Sequence, residues 1–317
     1  MTSVTSVTGT AGLELSFADP PAAEHELHQP ILAWYEAQAR ELPWREPDCP
    51  AWPVLISEIM LQQTPVARVL PIWLEWVERW PTPADLAAAP AGEAIRHWGR
   101  LGYPRRALRL HEAARAIVER HGGEVPSDHA ELLALPGIGT YTAAAVASFA
   151  FGQRHAVVDT NVRRVFARTI TGDAQAAPAL TVAESRLAAS LLPEQPERAA
   201  KWGVAVMELG ALVCTARAPR CQSCPISSRC RWLLSGAPPH TGPVRRGQAW
   251  AGTDRQIRGA ILAVLRSAST PVDGLALAQA VPKSALRDEF QRDRCLDGLV
   301  ADGLVEPLAD GRYQLPG

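Results

Sequence analysis

Four cysteines fall close together as Cys214-x6-Cys221-x2-Cys224-x5-Cys230. Thiols this tightly spaced, outside any secreted context, suit a metal centre better than disulfides. Either a tetrahedral zinc or an iron–sulfur cluster satisfies the spacing. Cys49 and Cys295 stand alone and read as ordinary thiols. A second candidate is Glu58, within the run Val54-Leu-Ile-Ser-Glu-Ile-Met-Leu61, which is apolar almost all round as a buried helix is. An unpaired carboxyl there would keep its proton toward neutral pH and could act as a general acid. The alternative is a buried ion pair with an arginine. A third is Asp159, ahead of a helical stripe of Val162, Val165 and Phe166. A helix N-terminus holds such a carboxylate ionised, whether it only caps the helix or also faces a site. Between them Leu135-Pro-Gly-Ile-Gly-Thr140 joins two helical segments. Gly137 and Gly139 allow a tight turn whose free N–H groups can take a phosphate without regard to base sequence.

The charge pattern sets the class of partner. The chain has 317 residues and a net charge of −1, yet its arginines are grouped. Arg96, Arg100, Arg105, Arg106 and Arg109 lie in an acid-free stretch, and a second acid-free stretch spans Leu209 to Thr253. Basic surfaces on a near-neutral chain are the footprint of nucleic-acid binding, against the plainer reading of solvated helix faces. Lys201 and Lys283 are the only lysines, so amine nucleophiles are scarce. No apolar run approaches the ~20 residues of a membrane span, and no Lys or Arg precedes Arg40, which argues against a secretory signal. A soluble, cytoplasmic, nucleoid-associated protein is expected.

These residues need helices to hold them. Residues 1–27 read as a loose tail. From about Gln29 to Leu234 the period is helical, with breaks at Thr64-Pro65, Pro81, Pro83 and Gly122-Gly123. Residues 28–235 form the expected core, with the cysteine loop at 214–230. Residues 236–251 read as a linker and residues 252–317 as a separate module. In that module one helix starts near Asp254, two follow around 275–281 and 291–301, and a hairpin turns at Asp310-Gly311. Three helices and a terminal hairpin suggest a winged-helix-like module beside an otherwise all-α chain.

Together the blocks Leu42-Pro-Trp-Arg45, Ser57-Glu-Ile-Met-Leu-Gln-Gln-Thr64, Gly99-Arg-Leu-Gly-Tyr103, the hairpin, Val158-Asp-Thr-Asn-Val162 and Glu208-Leu-Gly-Ala resemble the helix–hairpin–helix DNA glycosylases of the endonuclease III superfamily. Glu58 with Gln62, Gln63 and Thr64 resembles the branch that removes adenine. The resemblance implies a [4Fe–4S] cluster on Cys214, Cys221, Cys224 and Cys230. Members that cleave the strand carry a lysine just after the hairpin, where this chain has Tyr141. A monofunctional glycosylase of base excision repair is therefore implied, acting as a monomer on double-stranded DNA with adenine opposite 8-oxoguanine or guanine.

By the same resemblance Glu58 protonates the flipped base and Asp159 steadies the sugar cation. Tyr141 then bonds near Glu58, and Asn161 orients Asp159 or water. Trp44 and Arg45 wall the pocket, Gln63 and Tyr103 hold the duplex open, and Arg217 and Arg220 meet phosphate. Many family members add a C-terminal domain with a Phe-Ser-His segment that reads 8-oxoguanine; residues 252–317 lack that segment, and Val204 stands where a polar contact to adenine is usual. The residues leave open removal of another base on the same scaffold, or a non-catalytic iron–sulfur regulator.

Overall fold

The computed structural model describes residues 25–242, 250–281 and 283–317. Most of the expected tail and the middle of the expected linker lie outside them. Residues 25–27 are not loose: Leu27 is buried, and His25 O accepts from His28 N at 2.8 Å.

The first lobe is built on α2 (Ala51–Leu61), whose residues Trp52 to Met60 are all buried. Around it lie α3 (Val66–Arg79), α4 (Pro83–Ala88), α5 (Ala91–Trp98), α6 (Arg105–His121), α7 (His129–Leu133) and α8 (Thr140–Phe149). A Thr82–Asp85 capping box starts α4, and Gly122 ends α6 at φ 63°. Trp73, Trp76, Trp80 and Trp98 fill the space between α3, α5 and α2. The alanines of α8 let it lie close against α2 and α7, so Glu58 and Tyr141 face each other.

The second lobe joins distant parts of the chain. Here α1 (His28–Gln38) packs on α11 (Pro196–Leu212), with α9 (Thr160–Phe166) and α10 (Val182–Ser190) beside them. Asp159 is the N-cap of α9, and the cysteine loop follows α11 and closes on the short α12 (Arg231–Leu234). The fold is thus mostly helical, as the periodicity requires.

Residues 254–317 add α13 (Asp254–Ser267), β1 (Val272–Asp273), α14 (Gly274–Gln279), α15 (Gln291–Ala301), β2 (Glu306–Pro307) and β3 (Arg312–Gln314). The strands form an antiparallel sheet in the order β1-β3-β2. The two-residue β1 is too short to show an alternating pattern and was not anticipated. This unit shares a core with the first lobe through Ile95. Arg96 donates to the carbonyls of Arg266 and Ala268, Arg266 donates back to Ile95 O at 3.1 Å, and Arg105 pairs with Asp302 at 3.2 Å. Gly92 N bonds to Pro316 O at 2.7 Å, and a side chain at position 92 would collide with that oxygen. Arg96 and the buried Arg106 therefore serve internal contacts, a correction to reading the whole Ala94–His111 run as a nucleic-acid footprint, whereas Arg105 pairs with Asp302 at the surface. Arg100 and Arg109 remain exposed.

Candidate active site

A cleft of about 1280 Å³ opens between the lobes, and Glu58 and Asp159 both line it. Glu58 comes from the buried face of α2 and Asp159 from the start of α9. Among the described residues, the one hydrogen bond to the Glu58 carboxyl comes from Tyr141 Oη, 3.0 Å from Oε2. Burial is the largest influence on Glu58, and the neighbouring Asp159 charge adds to it. Against the opposing pull of Tyr141 and Arg45, the pKa rises from 4.5 to about 7. The arginine ion pair considered for Glu58 does not form; the nearby Arg45 bonds elsewhere.

Asp159 has more donors. Its Oδ1 accepts from the N–H groups of Asn161 (2.8 Å) and Val162 (2.7 Å), and its Oδ2 from Asn161 Nδ2 at 2.7 Å. Burial still outweighs these bonds, so its pKa lies above the usual aspartate value. The helix N-terminus favours the anion as anticipated, but does not by itself set the balance. Three donors against one nonetheless make Asp159 the easier of the two to ionise.

Residues missed in the sequence hold this pair in place. Arg164 donates from Nη2 to Asn161 Oδ1 at 2.7 Å, and from Nε to Cys214 O at 2.7 Å. A continuous set of bonds thereby runs from the cysteine loop through Arg164 and Asn161 to Asp159. Glu208, fully buried on α11, takes Arg40 and Arg45 as partners at 2.6 and 2.9 Å. These hydrogen bonds and charges outweigh its burial and pull its pKa down to about 2. A carboxylate within an apolar helix was as visible at Glu208 as at Glu58, and only the fold shows which one receives the arginines.

The cleft wall includes Trp44, Arg45, Gln62, Gln63, Thr64, Gly137, Gly139, Tyr141, Asn161 and Val204. Trp44 is also core, packed edge-on against Trp73 at 5.3 Å. Arg45 Nη1 is buried without an acceptor among the described residues. Thr64 sits beneath its turn, its hydroxyl donating to Gln62 O at 3.2 Å. Gln63 and Tyr103 both take left-handed backbone conformations, φ 55° and 49°. Arg106 ties their loops together, donating to Gln62 O at 2.5 Å and Gly102 O at 3.2 Å. In the hairpin, Gly137 (φ 74°) leaves no room for a Cβ against Arg109, whereas Gly139 faces open space.

The four cysteines line a second, small cavity with Val165, Leu209 and Ile226, and Arg168 Nη1 lies 3.3 Å from Cys214 Sγ. Four thiols with an adjacent guanidinium form a donor set suited to a thiolate-bound, negatively charged cluster. Arg217 and Arg220 lie exposed on the same loop.

A mostly helical, two-lobed scaffold with a helix–hairpin–helix and two carboxyls across an interlobe cleft defines a class of DNA repair proteins. The HhH-GPD superfamily of base excision DNA repair proteins matches residues 56–188. The scaffold is similar to a thermostable thymine-DNA glycosylase (TM-score 0.59, 31% identity, 65% of this chain and 94% of that one). It is also similar to endonuclease III in a trapped covalent complex with DNA (TM-score 0.56, 27% identity, 66% and 94%).

In sequence the chain is 53% identical over 287 residues to the adenine DNA glycosylase of Mycobacterium tuberculosis, covering 90% of this chain and 92% of that one. The human adenine DNA glycosylase is 44% identical over 213 residues, 63% of this chain and 38% of its own length. The chain belongs to the adenine DNA glycosylase family of base excision repair.

Proposed function

We propose that the chain hydrolyses the N-glycosidic bond of adenine opposite 8-oxoguanine or guanine in double-stranded DNA, as a monomer of the cytoplasm and nucleoid. The observation that supports this is the carboxyl pair in one cleft. Glu58, with a pKa near 7, can hold a proton, while three hydrogen-bond donors favour the anion of Asp159.

The target nucleoside must leave the stack before any side chain reaches its glycosidic bond, at a cost of a few kcal/mol. Gln63 and Tyr103 enter or abut the stack on their left-handed turns, and the hairpin amides of Gly137 and Gly139 take backbone phosphate. Trp44 and the free Arg45 Nη1 bound the extruded adenine. Glu58 donates its proton to N7, and the C1′–N9 electron pair leaves with the purine. Asp159 stabilises the resulting oxocarbenium by charge, or bonds to C1′ before water replaces it, as carboxylates do in glycosidases. Tyr141 and Asn161 hold the two carboxyls in place. The position beside the hairpin that would carry the Schiff-base lysine holds Tyr141, and the one lysine bordering the cleft among the described residues, Lys201, is paired with Glu36.

Cys214, Cys221, Cys224 and Cys230 would hold a [4Fe–4S] cluster, which supplies a rigid crosslink of the loop that presents Arg217 and Arg220 to phosphate. Residues 252–317 read as a winged-helix-like module, supported by their order of helix, strand, two helices and hairpin.

The test is a duplex with adenine opposite 8-oxoguanine. Adenine should be released, with strand scission only after added alkali, and Glu58→Gln and Asp159→Asn should each abolish release while remaining folded. Release of thymine from T·G in preference to adenine would overturn the substrate assignment, and retained activity in either variant would overturn that residue's role.

A further inference from the structure

Tyr103 is half exposed, and its ring lies between two guanidinium groups, Arg106 of α6 and Arg255 of α13, each 5.0 Å from the ring centroid. Arg106 is buried and engaged by carbonyls. Arg255 is exposed, and its guanidinium also lies 5.8 Å from the ring of Trp250, itself 57% exposed.

The other arginines of this module show how unusual that is. Arg258 pairs with Asp302, Arg292 with Asp293, Arg294 with Asp288 and Arg312 with Asp310, while Arg266 donates to Ile95 O. Among the described arginines of residues 252–317, only Arg255 and Arg287 have neither a carboxylate nor a carbonyl for the guanidinium. Gly252, three residues before Arg255, marks one corner of the module: Arg287 Nε lies 3.5 Å from where a Gly252 side chain would begin, and Arg255 Nη2 lies 3.7 Å from where a Gly102 side chain would begin. This corner continues the surface that holds Tyr103, Gln63 and the hairpin, because Arg106 joins the first two and Arg109 packs on Gly137.

We propose that Arg255 and Arg287 bind backbone phosphates of the duplex on the Tyr103 side of the extruded adenosine, with Trp250 covering the contact. The C-terminal module is then part of the DNA-binding face, and Arg255 also holds the Tyr103 ring against the stack. Planar guanidinium groups without internal acceptors suit phosphate oxygens, and the contact carries no base information. The inference rests on the reading that this cleft takes adenine from duplex DNA.

The test uses the full chain and a duplex with 2′-fluoro-adenosine opposite 8-oxoguanine, which binds without losing its base. Affinity is measured by fluorescence anisotropy between about 50 and 200 mM salt. Arg255→Gln and Arg287→Gln should each weaken binding about tenfold and reduce the slope of log affinity on log salt by about one. The Lys pair R255K/R287K should restore the slope. Arg312→Gln, a control already paired with Asp310, should change neither. Wild-type affinity and slope in the doubly substituted Gln variant would overturn the proposal. A wild-type chain that binds this duplex but releases no adenine from the unmodified one would overturn the proposed reaction, leaving the phosphate contacts to be judged by the slopes. No binding to the duplex would overturn both.

Discussion

Tyr141 Oη donates a 3.0 Å hydrogen bond to Glu58 Oε2 across the α8–α2 contact, the one hydrogen bond that the Glu58 carboxyl accepts among the described residues. A donor to a carboxylate stabilises the charged form, so Tyr141 restrains the rise that burial imposes on Glu58.

Tyr141→Phe should therefore move the alkaline limb of the rate profile upward. In the unaltered chain, excision should fall as pH rises through about 7, where Glu58 loses its proton. A hydrogen bond to a charged acceptor is worth about 1.5–3 kcal/mol, or roughly one to two pH units. Single-turnover rates across pH measure this, and a limb that stays at 7 or moves down would sink the argument.

Glu58 should also cost the fold stability above neutrality. Its folded pKa is raised from 4.5 to about 7. Its contribution is thus fully present below pH 4.5 and is lost as pH rises through 7, with a total of roughly 3 kcal/mol. Glu58→Gln can still accept from Tyr141 and has no charge to bury. Urea unfolding should show it more stable than the parent by up to that amount at about pH 8.5, with the gap closing toward pH 4.5. Parallel pH dependences for the two proteins would refute this.

Arg164 should act on Asp159 without touching substrate. Its charge lowers the Asp159 pKa, and its Nη2 fixes the Asn161 amide that donates to Oδ2. Arg164→Gln should raise the Asp159 pKa, shift the acid limb of the profile to higher pH, and slow excision by about ten- to a hundredfold, the scale of a lost charged hydrogen bond. An acid limb that does not move would reduce Arg164 to a structural support of the Cys214 turn.

Much of this site was legible in the chain because its parts are local. The helix around Glu58, the cap at Asp159, the hairpin glycines and the cysteine spacing each declare themselves within seventeen residues or fewer. What was hidden depends on contacts between distant segments. Arg96 looks like surface charge until the end of α13 meets it. Likewise α1 joins the second lobe through long-range packing on α11 and a His28 bond to Leu191 O. The same limit separates Glu58 from Glu208. Both lie in apolar helices, but burial carries Glu58 to about 7 against the single phenol it meets, while two guanidinium groups outweigh burial at Glu208 and pull it to about 2.

Glu208 supports the last prediction. Its carboxylate accepts from Arg40 N (3.1 Å), Arg40 Nε (2.7 Å) and Nη2 (2.6 Å), and Arg45 Nη2 (2.9 Å), which anchors the segment between α1 and α2 to α11. Its pKa is depressed, so this stabilisation is fully present above pH 4.5 and is lost as pH falls through about 2. Glu208→Gln would leave two guanidinium groups facing a buried neutral amide, a loss of about 3–5 kcal/mol near neutral pH. Arg45 would also lose the partner that holds it at the cleft wall, so the affinity for adenine-containing duplex should drop together with stability. Urea midpoints and duplex binding measured on the same preparation check both. A loss under about 1 kcal/mol would mean the pair behaves like an exposed ion pair, and Arg45 would need another anchor.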